Sequence, residues 1–547
     1  IAAYAVAYSP SLLPRSWLFQ GLVAALGGMF GYQVGQLASG AGGLLRETLG
    51  VQIKVKRDVR DGAAIAGLVL LAAGFVGIPL RSIQWQRRTA DYCHTKGPNA
   101  FWAAASTAAS SAIFALFMLQ WRATASLIDW TAKRLGNRFA WAFLARMVAT
   151  LVVLATLAVI LDVVVVRGVI EVGRTASERV DRRTPVGVDQ PTDPGRSGSP
   201  ASRESWTTLG LQGKRFVSSG PRRARIEEVT GKPAKQPLRV YASLNGRTIE
   251  QVVQAVIAEM DRVNAWERKA ICMVTTTGRG NVNEWAASAL EYLLGGDSCI
   301  ASMQYSGLPS AIALAAERTK PIIASRLLFE AVESRVRRMP RERQPLLLVN
   351  GESLGAFGSS EIFQDIDDML QRVDGALWLG TPSFTPMHAE LLRTRTPSSS
   401  VVDPVIDNGR HIRFASDRAQ LAADEFGRPL SDWEAPRIVF LQNDTDPVVW
   451  WSIPLLWSQP VWMDGHRDPT TPMGRMTWHP FVTFWQVLAD MPVCRNVGEG
   501  YGHKYNAQQV VPSWAGILGM DPEGDYSAII DALTKENTLP LVKVFGI

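Results

Sequence analysis

The chain has 547 residues, 47% of them hydrophobic, with a formal net charge of +7 and a mean hydropathy of +0.03. That near-zero mean averages an apolar N-terminal third against an ordinary globular remainder, which argues against a wholly soluble protein. The four cysteines (Cys93, Cys272, Cys299 and Cys494) lack metal-ligand spacing, which excludes a zinc ribbon or cluster built on them.

Four apolar and almost uncharged runs come first: Trp17 to Leu37, Gly62 to Leu80, Phe101 to Leu119 and Met147 to Leu161. Each approaches the roughly 20 residues that a helix needs to cross a bilayer. Gly27, Gly31 and Gly35 form a small-xxx-small ridge suited to close helix packing. The chain begins at Ile1, and Ile1 to Tyr8 reads as the tail of an earlier helix, for five crossings in all. Arg46, Lys54, Lys56, Arg57 and Arg60 crowd the first loop, and Arg122, Lys133, Arg134 and Arg138 the third. The loop between them carries Arg81, Arg87, Arg88 and Lys96, so the positive-inside rule mildly favours the first and third loops as cytoplasmic. The expectation is a multi-pass inner (plasma) membrane protein whose later domain lies on the extracytoplasmic side. Asp162, ending the fourth run, reads as interfacial, paired with Arg167 or hydrated. Residues 1–172 are therefore assigned to a transmembrane helical domain.

Residues 173–237 read as a connector. Pro185, Pro191, Pro194 and Pro200 stand among Gly, Ser and Thr, with a run of arginines from Arg174 to Arg225. A basic stretch behind a membrane helix points to anionic lipid headgroups, at about 1 kcal/mol per basic residue near the surface, rather than to nucleic acid. A plain solvated linker is the alternative.

From Leu238 strands and helices alternate: Arg239 to Ala242, a helix over Thr248 to Val263, a strand at Ala270 to Val274, a helix over Asn283 to Leu294, then Ile300 to Gln304. This rhythm predicts a mostly parallel sheet with helices on both faces. The loop Thr275 to Gly280 follows a strand and precedes a helix. In an α/β-hydrolase such a loop lends a backbone N–H to an oxyanion, here from Thr277 or Gly278. No Gly-Lys-Ser/Thr follows it, which argues against a nucleotide site.

The strand Leu346 to Val349 then runs into Gly351-Glu352-Ser353-Leu354-Gly355. This G-x-S-x-G forces Ser353 into a sharp strand-to-helix bend, with Gly351 and Gly355 keeping bulk away and Leu354 N–H facing the oxyanion. Another strand, Arg437 to Leu441, leads to Asn443-Asp444-Thr445-Asp446-Pro447. Asp446 is the preferred acid and Asp444 the reserve, since spacing does not separate them. A Trp-rich insertion spans about 450–485. A weaker strand at Pro492 to Val497 precedes a glycine-rich loop that ends in His503. Of the six histidines, His94, His388 and His411 precede the acid and His466 and His479 fall in the insertion, leaving His503 as the base. The order Ser, acid, His is that of α/β-hydrolases. Cys272 and Cys299 begin neighbouring strands; a disulfide would fit in an oxidising compartment, but buried free thiols are the preferred reading.

With Ser9-Pro10-Ser11-Leu12-Leu13-Pro14-Arg15 ahead of the first full helix, the elbow and the Asn443-to-Pro447 segment together resemble the actinobacterial membrane α/β-hydrolases. Those proteins join an N-terminal multi-helix membrane domain to a C-terminal hydrolase domain. The resemblance covers nearly the whole chain and implies a serine hydrolase of the cell envelope in mycobacteria and relatives. The expected architecture is a transmembrane bundle, the connector, and a catalytic domain over 238–547. The expected chemistry is acyl transfer through Ser353, His503 and Asp446, with no cofactor and no metal. The expected substrate is a membrane lipid or glycolipid in the adjacent bilayer, with water or a hydroxyl as acceptor. The alternative is a transporter or a scaffold of envelope-lipid assembly with a vestigial hydrolase domain. Oligomeric state is not legible.

Overall fold

The computed structural model describes residues 1–49, 56–136, 142–464 and 467–536; Lys54, Arg138 and His466 lie outside the described residues. The chain divides into two compact units, Ile1–Gly168 with Trp450–Gly502, and Val169–Val449 with His503 onward.

The first unit is built on the helices Trp17–Leu49, Arg57–Tyr92, Trp102–Gly136 and Ala142–Ile160. A π-helical stretch, Leu161–Val166, carries the last of these into the helix Arg167–Asp181. Among the described residues three helices are long and apolar enough to cross a membrane: Arg57–Tyr92, Trp102–Leu135 and Leu144–Asp181. Trp17–Leu49 is helical throughout but is not among them, because Gln20, Gln33, Gln36 and many glycines dilute its hydropathy. Asp162 does pair with Arg167, at 2.8 Å.

The Trp-rich insertion differs from expectation. It is longer than the 450–485 read from composition, and Trp450–Gly502 belongs to the helical unit rather than to the sheet. The reason is a shared core and a buried charge. Tyr4, Tyr8, Val23, Trp102, Val482 and Ala489 pack together, and Phe30 stacks on Phe481 with ring centroids 4.7 Å apart. Asp490, fully buried, accepts from Arg15 Nε at 2.7 Å, Ser11 Oγ at 2.5 Å and Leu13 N at 3.3 Å. Arg15 also donates to Gln20 at 2.9 Å. These bonds offset the desolvation of the buried pair, although Arg15 Nη2 has no partner among the described residues. The Ser9-to-Arg15 motif is thus a cradle for one carboxylate that arrives more than 470 residues later. The strand expected at Pro492 to Val497 is instead a 3₁₀ turn, Met491–Val493.

The second unit is a seven-stranded sheet whose paired strands are all parallel, in the order β1-β3-β2-β4-β5-β7-β6. The strands are β1 (Leu238–Ala242), β2 (Ala270–Thr275), β3 (Ser298–Met303), β4 (Leu346–Glu352), β5 (Gly375–Leu379), β6 (Ile412–Ala415) and β7 (Arg437–Leu441). Alternate residues feed two cores: Ile271, Met273, Leu347 and Val349 face one, Cys272, Val274, Leu348 and Leu377 the other. Burial on both faces explains why the strands read as continuous apolar runs.

A further expectation is revised here, and one is met. The connector is not a free tether: it contains the helices Gly210–Ser218 and Arg223–Thr230, and its Arg196 is fully buried, donating to the carbonyls of Val217, Ser219 and Pro221. The one met is that Cys272 and Cys299 sit on paired strands as buried free thiols.

Candidate active site

β4 ends at Glu352, and the helix Leu354–Ser360 begins two residues later, so Ser353 must turn the chain alone. It does so at φ 56°, ψ −117°, a conformation costly for any residue with a Cβ and one that persists only where its surroundings enforce it. The surroundings are tight. A Cβ on Gly355 would lie 2.2 Å from Thr275 O, and one on Gly351 would lie 2.5 Å from Gly355 C. The elbow is therefore pressed against the end of β2, and only glycine permits the approach. Ser353 N–H donates to Leu379 O at 2.8 Å, fixing the bend to the tip of β5. Ser353 is half-buried amid buried neighbours.

β7 delivers Asp446. Its carboxylate is fully buried and accepts three hydrogen bonds: Oδ2 from His503 Nδ1 at 2.6 Å and from Tyr505 Oη at 2.8 Å, and Oδ1 from Val448 N at 2.9 Å. That fixes the His503 tautomer, with the proton on Nδ1 and a lone pair on Nε2. His503 Nε2 is buried and without a hydrogen-bond partner among the described residues, with Glu352 Oε1 3.9 Å away. A buried acceptor left open is costly and points to a role. Asp444, the reserve acid, is instead one of the charges that, after burial, raise the Asp403 carboxyl to about 7.

Two groups here carry no sequence signal. Gly380, at φ +59°, follows the residue that holds Ser353 N–H, and a Cβ there would lie 2.5 Å from His503 Cε1. Its lack of a side chain makes room for the imidazole. Tyr505 is the other: burial first, and the Asp446 charge second, push its phenol well above the ordinary value, so it keeps its proton and donates it. The glycine before a buried loop and a tyrosine two residues past a histidine are both too common to read from spacing.

The loop after β2 revises one expectation. Thr277 N–H donates to Asn281 O at 3.0 Å and so is unavailable to a ligand, whereas Gly278 N–H has no acceptor among the described residues. Gly278 is seated closely, since a Cβ on it would lie 2.6 Å from Leu308 O. Leu354 N–H, at the first turn of its helix, is likewise without an intrahelical acceptor. Of the other histidines, His388 is buried against Phe414 and Phe440 and bonds Gln442 at 2.8 Å. His411 Nδ1 lies 3.1 Å from Glu434 O.

The model of an alpha/beta-hydrolase family matches residues 238–528, and that of an alpha/beta-hydrolase family N-terminus matches residues 8–221. No curated protein matches. Among solved structures, a Trichoderma reesei cutinase in complex with a C11Y4 phosphonate inhibitor aligns at 10% identity over 45% of this chain and 88% of that one. Its TM-score of 0.20 is too low to bear on fold or function. On the family match, which spans more than half of the sequence, this chain is a member of the alpha/beta-hydrolase family.

Proposed function

We propose that this chain is a membrane-anchored serine hydrolase or acyltransferase acting on the acyl ester of a lipid or glycolipid. One observation carries the reading: an imidazole held at Nδ1 by a buried carboxylate, its Nε2 open and 3.9 Å from Glu352, the residue that precedes the serine of a strained elbow. Ser353 Oγ attacks the acyl carbonyl and its proton passes to His503 Nε2. Asp446 holds the imidazole and stabilises its charged form. Leu354 and Gly278 N–H groups take the developing oxyanion. Collapse expels the alcohol, which receives the proton from His503, and leaves an ester on Ser353. His503 then deprotonates the acceptor, which is water in hydrolysis or a sugar or polyol hydroxyl in transacylation.

Three membrane-length helices in the same chain support a lipid donor, already concentrated in the bilayer. The excess of basic residues in the first and third loops supports an extracytoplasmic catalytic unit. The test is lipid mass spectrometry of membranes incubated with the purified protein and with Ser353→Ala. Free fatty acid, or a newly acylated glycolipid, formed only by the wild type is the expected result, and the product identifies the acceptor. Identical lipid profiles, together with failure of a fluorophosphonate to label Ser353, would sink the enzymatic reading in favour of transport or scaffolding.

A further inference from the structure

The loop that offers Gly278 is held from outside by one carboxylate. Its own bonds, Thr277 N to Asn281 O and Gly280 N to Thr277 O at 2.7 Å, close a turn with Gly278 and Arg279 at the crest. Tyr241 Oη donates to Gly280 O at 3.0 Å, and Gln304 Nε2 to Arg279 O at 3.3 Å. The same Gln304 nitrogen donates to Asp181 Oδ2 at 3.1 Å, and Arg279 Nη2 donates to Asp181 Oδ1 at 3.3 Å. Asp181 therefore grips Arg279 twice, directly through its side chain and by way of Gln304 through its main chain. Arg279 is 9% exposed and Asp181 17%, so the pair is shielded from the screening that makes surface ion pairs weak. Arg279 Nε has no partner among the described residues, so the guanidinium is held from one side only.

Asp181 is also the last residue of the membrane-length helix Leu144–Asp181. We propose that Asp181 and Arg279 are positioning residues that set the Gly278 N–H, so the oxyanion loop is tied to the C-terminal end of the membrane-length helix Leu144–Asp181. This rests on the reading of Ser353 as nucleophile. An oxyanion donor contributes only when it sits at hydrogen-bond distance from the developing charge. A displacement of about 1 Å is enough to cost about a hundredfold in rate.

The test uses the full chain in detergent micelles, with a p-nitrophenyl acyl ester as substrate and a fluorophosphonate as probe. Asp181→Asn and Arg279→Gln are each expected to lower kcat about 10- to 100-fold with KM within about twofold. They should slow phosphonylation of Ser353 by a similar factor, because its transition state uses the same donors. The double variant should be no slower than the slower single one, and Arg279→Lys should recover part of the loss. Wild-type kcat in folded single variants, losses that multiply in the double variant, or an effect on KM alone would each overturn the proposal. If Asp181→Asn does not fold, Asp181→Glu takes its place: it keeps the charge but moves the carboxylate by one methylene, and an unchanged kcat there overturns the proposal too. A wild-type chain that the probe never labels points to failure of the site reading itself, and the coupling falls with it. Labelled wild type with equally fast variants refutes only the coupling.

Discussion

Leu68, in the helix Arg57–Tyr92, is 65% exposed, while Leu348, in β4, is 1% exposed. The contrast runs through both units. The membrane-length helices turn Leu70, Leu116 and Leu151 outward, whereas the sheet buries Val240, Ile271 and Leu377 completely. Charge follows the same division. Each unit fully buries an arginine: Arg15 meets Asp490, and Arg239 meets Glu284 and Glu291, each at 2.7 Å. The helical unit thus concentrates its polar contacts where the excursion docks and leaves apolar surface for a hydrocarbon solvent, while the α/β unit builds its core against water.

The largest expected effect tests the charge half of this contrast. Arg239→Ala leaves Glu284 and Glu291 without their shared cation and should destabilise the α/β unit by about 3–5 kcal/mol. Thermal unfolding followed by fluorescence in detergent would read it, and a loss below about 1 kcal/mol would mean the carboxylates find other partners. Leu348→Ala is expected to cost about 2–5 kcal/mol by the same measurement, since it opens a cavity between sheet and helices. Gly380→Ala forces a Cβ into the His503 ring at positive φ. A kcat drop of about a hundredfold is expected, with a modest stability loss of about 1–2 kcal/mol; wild-type turnover would break the proposed placement of the imidazole.

A pH effect comes next. Burial pushes His388 down to about 4. Between its unfolded value near 6.5 and about 4, the unfolded chain binds the proton and the folded one does not. Stability should therefore fall by about 3 kcal/mol as pH drops through that window, and His388→Gln should flatten the slope. The smallest effect is the mirror of Leu348: Leu68→Ala should change stability by under about 0.5 kcal/mol, because most of its side chain is exposed. A cost near that of Leu348→Ala would mean the outward face is a protein interface rather than a lipid one.

Much of the frame was legible in sequence, for reasons that differ by element. β7 reads as Arg437 to Leu441 because a strand buried on both faces is a plain apolar run. The elbow is legible because only glycines tolerate the contact with β2. β5 escapes because Gly375 opens it, and β6 because Arg413 interrupts it, its charge met by the Gly409, Leu421 and Ser431 carbonyls. Thr277 and Gly278 differ only in whether Asn281 O captures the N–H, a matter of loop geometry that composition does not encode. The excursion was misassigned because its anchor is the long-range Arg15–Asp490 pair, and no local pattern marks it.

The excursion also imposes an order on synthesis. Chain growth supplies Asp446 first, then the whole of Trp450–Gly502, which packs with the N-terminal helices, and only afterwards His503. A ribosome therefore releases His503, the proposed base, after the segment that packs with the N-terminal helices has emerged. A nascent chain whose helices have not assembled offers Asp490 no cradle. Ser353 and Asp446, two of the three residues proposed as a triad, are thus made before that segment, and His503 only after it.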